Sequence, residues 1–439
     1  MSILSPVATG KFYTGNPDNY RHQLRNLRPG DQLLLTPGLY QRGLPIHRLR
    51  GEAHAPIIIT GPESGKRAVF LGRRGHNTVS IIDAQHVILR NIEIDGQHLP
   101  VDGVKCEGHA NWAHHITLEN LLIHRHDHNQ QIVGISTKCP AWNWTIRHNI
   151  IQGAGTGIYL GNSDGSAPFI AGLIEYNLIT QTLGYNLQIK HQRPRPNLAG
   201  MPVGDQVTTI RHNVFSKADP PRNPSSPRPN VLLGHWPLTG RGANDRYLVY
   251  SNFFYQNPQE SLFQGEGRIA LYNNLFVNHM GGAIRFQPHH DKPREIAIFF
   301  NTVVAKNTGI YHAGHNDPSL PIPWIANNAV FANRPLAVPR TGDTNFSALY
   351  HAADKWLIAP FAPLGQMNLA PRTDKLARSS IDKYQVKLFP EWELDFSGHS
   401  DDSRFGAYAY DYSPGWLPIL SIKSCRADNI RNRHLCFAH

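Results

Sequence analysis

A lysine, an arginine and several histidines fall at matching points of short apolar segments. Together they could neutralise an acid, remove a proton from carbon and protonate a leaving oxygen. The segments read NLQIKH from Asn186, NVLLGH from Asn230, SLFQGE from Ser261, AIRFQPHH from Ala283 and GIYHAGH from Gly309. Apolar and polar residues alternate, the two-residue period of a strand. Ile135, Ile158, Leu187, Ile189, Val231, Leu233, Ile284 and Phe286 then face inward. Lys105, Lys138, Tyr159, Gln188, Lys190, Gln264, Arg285, Gln287 and Tyr311 face outward, and His191, His235, Glu266, His289, His290 and His315 follow the strand ends.

This set suits a polymer of uronic acids. β-Elimination needs a cation for the carboxylate, a base for the neighbouring proton and an acid for the leaving oxygen. Lys190, His235, Arg285 and His289 are the candidate catalytic residues. A Lys or His becomes a base when burial and nearby cations lower its pKa, and Arg285 or a metal ion can stabilise the enolate. Lys138, Tyr159, Gln188, His191, Trp236, Gln264, Gln287 and Tyr311 are candidate substrate-binding residues. Aromatic rings stack on sugars, and cations meet carboxylate or sulfate. Glu266 is a candidate metal ligand or general acid. It stands alone, which argues against the paired carboxylates of a glycosidase. A uronate epimerase would need the same groups as a lyase. The plainer reading is a solvated polar face, but this stripe holds almost no Asp or Glu.

What positions the stripe is a repeat. Asn91, Asn120, Asn149, Asn177, Asn213, Asn252, Asn274, Asn301 and Asn328 recur with the same apolar neighbours, as in TIRHNIIQ and TIRHNVFS. A period of this length marks a solenoid whose units bury apolar faces against each other. Strand-rich units imply coils stacked about 4.8 Å apart, with a ladder of Asn side chains at one corner. The expected fold is all-β: a single-stranded parallel β-helix with an N-terminal capping helix and an irregular C-terminal extension. Residues 1–75 would form the cap and first coils, 76–335 the repeats, and 336–439 a closing segment packed on the helix, in which DFSGHSDDSRFGAYAYDY closes the far end of the helix. Loops 163–169, 191–206 and 236–246 follow the stripe strands and should wall one side of a groove. The Pro/Arg-rich segment 216–230 is a further insertion.

Composition agrees. Charged residues are 17%, with 37 Gly and 33 Pro, as suits a turn-rich β protein. A net charge of +11 with 25 His favours polyanions. The stripe lacks the dense Lys/Arg with interleaved aromatics of strand-binding proteins, so nucleic acid is not expected. No apolar run reaches the roughly 18 residues of a membrane span, and MSILSPVATG has no signal-peptide pattern. Cys106 and Cys139 align one coil apart and read as two stacked, reduced core thiols. Cys425 and Cys436 could close a small loop. No Cys/His spacing reads as a zinc site.

These features resemble the pectin-lyase-like right-handed parallel β-helix superfamily. The opening LRPGDQLLLTPGLY and APIIITGPESGKRAVFLG is similar to the start of the alginate lyase and chondroitinase B family. That resemblance implies a secreted or periplasmic, monomeric enzyme degrading acidic polysaccharide with a Lys base, an Arg acid and often calcium. Lys190 in NLQIKHQ resembles the strand-borne lysine of that family, and Gly234 in VLLGHW stands where its arginine is expected. The expectation is therefore a polysaccharide lyase. A hydrolase or epimerase in the same groove, or a non-catalytic polysaccharide-binding or adhesion protein, are the alternatives.

Overall fold

The computed structural model describes residues 10–219, 226–339, 344–376, 380–409 and 415–424. Each coil has three strands, as in Thr145–Arg147, Ile150–Ala154 and Thr156–Leu160. The next coil repeats them as Leu173–Glu175, Leu178–Thr182 and Leu187–Ile189. Equivalent strands pair in parallel, setting Ile146 beside Ile174, Ile151 beside Ile179 and Ile158 beside Leu187. Stacking like on like fills the interior, where Phe215, Phe254 and Phe276 form a file with ring centroids 5.2 and 4.4 Å apart. Each aromatic pair adds roughly 0.5–1.5 kcal/mol beyond the area it buries.

One sheet runs from Phe12–Gly15 to Trp324–Ala326, and the other two flanks of the coil form a single 21-stranded sheet among the described residues. The flanks merge because strands such as Thr302–His312 continue around the bend. Glycine allows that bend earlier in the chain. A Cβ on Gly157 would lie 2.5 Å from the Asn186 carbonyl oxygen, so the rungs could not approach. The expected right-handed parallel β-helix is the architecture found.

The Asn ladder is present from Asn149 onward. The side-chain amides of Asn149, Asn177, Asn213, Asn252, Asn274, Asn301 and Asn328 each donate to the Oδ1 of the next rung at 2.9–3.1 Å, ending on Asn345. The residue before each rung is left-handed, for example His148 (φ 54°) and His212 (φ 55°). Asn91 and Asn120 do not occupy the ladder position. They are themselves the left-handed residues (φ 61° and 50°), their side chains form a separate short stack in which the Asn120 amide donates to Asn91 Oδ1 (2.8 Å), and Leu121 N donates to Asn149 Oδ1 in the place of a ladder Asn. Asn tolerates this conformation better than most residues, so one residue type serves two roles one position apart. A second ladder, not foreseen, links Asn257 to Asn230 (2.9 Å) and to Asn278 (3.3 Å) at another corner.

The helix Tyr20–Asn26 covers the first coil as expected. Tyr20 donates to the Gly43 carbonyl (2.6 Å) and packs edge-on against Tyr40. The described part of the C-terminal segment first adds the strand Phe346–Ala348 to the last coil. It then runs back along the coils, where Val386 and Trp392 cover Tyr250, Tyr272 and Phe299. Buried Arg404 donates to Asn273 Oδ1 (2.7 Å), and the Ala407 amide donates to Thr302 Oγ1 (2.9 Å). Outward aromatic residues on these coils, such as Tyr250 and Tyr272, supply the apolar surface that draws it there.

Cys106 and Cys139 are not free thiols. They form a disulfide with Cα atoms 6.0 Å apart, a separation such a bond allows. The strand partner of Cys106 is Thr137, so Cys139 reaches it from two residues further on rather than by stacking directly. Cys425 and Cys436 lie outside the described residues. No helix among the described residues is long and apolar enough to cross a membrane.

Candidate functional site

The strands that carry the expected stripe stack in register. Strand pairing places Ser80, Lys105, Ser136, Tyr159, Gln188, Leu232, Gln264, Arg285 and Tyr311 side by side on successive rungs. Two positions further along those strands comes a second outward row, holding Lys138, Gly161, Lys190, Gly234, Glu266 and Gln287. Its backbone amides continue the ladder, with Lys190 N donating to Leu160 O and Gly234 N to Ile189 O. Lys138, Lys190 and Arg285 therefore share one face.

The chemistry concentrates where the second row meets the loops. His191 stacks on His290 with centroids 3.8 Å apart and lies 5.6 Å from His235. His289 meets His290 edge-on at 4.3 Å. His235 is held by its Nδ1, which donates to the Trp236 carbonyl at 2.8 Å, so Nε2 is the basic nitrogen. Burial, with the neighbouring His290, Lys190 and His235, pushes the His191 imidazole down to about 4, so it is neutral near pH 7. Burial also lowers Lys190, against the opposing pull of Glu266. Further up, burial with Lys105 and Lys190 brings Lys138 down to about 8, its ammonium 3.5 Å from the Tyr159 ring centroid. At the other end Arg285 donates to Gln287 (2.7 Å) and lies over Tyr311 (5.0 Å).

Several residues differ from expectation. Trp236 is buried and stacks on Tyr247 (4.3 Å), so it is core rather than a sugar platform. Gln188 is also covered, at 6% exposure. Glu266 is 1% exposed, and one of its oxygens accepts the backbone amides of His289, His290 and Asp291 at 2.9–3.2 Å. It fastens the histidine loop. Calcium seeks six to eight oxygens, and a carboxylate so engaged among imidazoles and Lys190 does not fit it. The side chain of His315 lies outside the described residues.

The loop wall is also present. Arg193 N donates to Gly165 O (3.0 Å) and Arg195 N to Arg241 O (3.2 Å), tying all three loops together. Behind them Arg195 forms a fully buried ion pair with Asp245. At the N-terminal end of the stripe opens a cavity of about 620 Å³ lined by the cations Arg21, Arg42 and Arg73, by His47, His76 and His109, and by the carboxylate of Glu107.

No protein-family model and no curated protein matches the sequence. Among solved structures the chain is similar to a GH136 lacto-N-biosidase from Eubacterium ramulus, with TM-score 0.52 and 13% identity over 77% of this chain and 68% of that one. It is also similar to the pectate lyase Pel9A, with TM-score 0.49 and 14% identity over 93% and 98%. An alginate lyase from Paenibacillus sp. str. FPU-7 follows, with TM-score 0.43 and 14% identity over 77% and 98%. What these structures share with the chain is the parallel β-helix fold. Within this β-helix the site's chemistry rests on its own side chains. His290 was expected only as one of the residues past the strand ends, with no role of its own. It became central because Glu266 folds the loop 289–291 back over the strand ends.

Proposed function

We propose that this β-helix binds an acidic polysaccharide along the outer stripe and cleaves it by β-elimination beside His235. The observation that carries this reading is the packing of His191, His235 and His290 on one face with Lys190, while the nearby carboxylate is occupied by backbone amides. Such a site has bases and cations to offer a uronate, and its buried carboxylate, Glu266, is already engaged by backbone amides rather than free to act in a hydrolytic pair. His235 Nε2 takes the proton from the carbon beside the sugar carboxylate. The released electrons form a carbon–carbon double bond as the bond from ring to bridging oxygen breaks. Lys190, a stronger acid for being desolvated, returns a proton to that oxygen. His191 lends a neutral imidazole, and His289 borders the cluster. Lys138 and Arg285 hold carboxylates of flanking sugars, with Tyr159, Gln264, Gln287 and Tyr311 lining the way. The cationic cavity extends the same track. Every group comes from one chain, so a monomer suffices. The Cys106–Cys139 disulfide suits a secreted or periplasmic protein.

The test is incubation with alginate, pectate and glycosaminoglycans while following the absorbance of unsaturated uronate. Product from one polymer, lost in Lys190→Ala and His235→Ala, supports the reading. Tight binding without product makes the protein a non-catalytic binder. Inverted uronate without unsaturation makes it an epimerase, and saturated fragments make it a hydrolase.

A further inference from the structure

The other sheet carries a second histidine cluster that the polysaccharide site does not use. His86 and His115 occupy the same position on neighbouring rungs, since their strand neighbours Val87 and Ile116 pair, and Asn143 follows on the next rung. All three are left-handed, with φ 48°, 52° and 55°. This conformation interrupts the strand alternation, so both His114 and His115 approach His86. One nitrogen from each imidazole lies within 4.8 Å of the other two. His115 Nδ1 is 2.8 Å from His114 Nδ1, and the Asn143 amide donates to His115 Nε2 at 3.0 Å.

We infer that His86, His114 and His115 form a site for a late first-row divalent cation such as Zn²⁺ or Ni²⁺. Imidazole suits these ions. Three protein nitrogens with a fourth position left to water is the open tetrahedral arrangement. Zinc–nitrogen bonds of about 2.0–2.1 Å in that arrangement set ligand nitrogens roughly 3.3 Å apart. The His114–His115 pair opens slightly to reach this, and His86, stacked on His115 with ring centroids 4.2 Å apart, turns and closes toward them. The shared proton between the two Nδ1 atoms moves to His115 Nε2. Asn143 then turns its amide oxygen to accept it, orienting the ring as an outer-shell partner does. Burial keeps all three imidazoles in the neutral, ligating form, with His114 down at about 4. Arg50 adds positive charge from above Trp112, and Glu52 acts against it on His86. The site flanks Trp112 and Trp142, whose rings lie 4.8 and 4.5 Å from His114.

The experiment is calorimetric titration of the full chain, stripped with chelator, with Zn²⁺ and separately Ni²⁺. The expected result is one equivalent bound, with affinity falling on the order of tenfold or more in His86→Asn, His115→Asn and Asn143→Ala. Asn at 86 and 115 tolerates the left-handed backbone, so these variants keep the fold, and their melting temperatures verify it. His191→Ala with His290→Ala should retain the equivalent, which separates this site from the other histidines. Absence of a stoichiometric site, or binding unchanged in both His86→Asn and His115→Asn, overturns the inference.

Discussion

The Asn corner and the histidine edge are both columns of side chains stacked by the same rungs, and they behave oppositely. At the corner one residue type repeats, and each amide is satisfied by its neighbour at 2.9–3.1 Å. At the edge the groups change from one rung to the next: Lys138, Gly161, Lys190, Gly234, Glu266, then Gln287. Rings there crowd until His191 Nδ1 is buried with no hydrogen-bond partner. Repetition along the axis gives stability. Variation along the axis gives reactivity, because unlike groups leave protons and charges unmatched.

The largest effect should come from the edge. His235→Ala is expected to lower product formation on the order of 10²–10⁴-fold while leaving the urea unfolding midpoint unchanged. A parallel fall in midpoint would make His235 a corner-like residue. Next comes the corner. Asn213→Ala removes donors to Ile174 O and Asn252 Oδ1 and strands the amides of Asn177. Unmet buried groups cost about 1–3 kcal/mol each, so denaturant unfolding should show a loss of roughly 3 kcal/mol or more, with activity per folded molecule intact. A smaller effect concerns acid. His191, His114 and His212 are each held near 4, against an ordinary 6.5, chiefly by burial. The unfolded chain therefore takes up their protons first. Stability is full above 6.5 and declines as pH falls from there toward 4. Unfolding midpoints across that window measure it, and His212→Asn should flatten the curve. The smallest belongs to Asn120→Gly. This position lies outside the long ladder, and its side chain bonds only at the partly buried start of the helix, to Asn91 Oδ1 (2.8 Å) and from Arg67 (3.4 Å), so the loss should be about 1–2 kcal/mol. A loss matching Asn213→Ala would put Asn120 in the ladder after all.

The fold was legible because seven ladder residues impose the same local pattern, and period-two burial follows directly from pairing like on like. The stripe was legible for the same reason: alternation alone sorts Lys190 from Ile189. What escaped notice depends on how chains leave the rungs. The Asn230–Asn257–Asn278 ladder was hidden because inserted loops make its spacing irregular. Trp236 turned inward immediately after a strand end, where alternation ceases to apply. The pairing of Cys106 with Cys139 depends on two residues of overhang. The His86–His114–His115 cluster was invisible because its members meet across rungs at left-handed positions that no local motif marks.

The C-terminal segment laid along the flank has a consequence for how the molecule comes apart. A bare stack of coils knows only its nearest neighbours and can fray one unit at a time. Here Arg404, Ala407 and Trp392 bind rungs at Asn273, Thr302 and Tyr272 from outside. Peeling one coil must loosen the strap over the others, so a zipper that would open tooth by tooth is stitched shut as one seam.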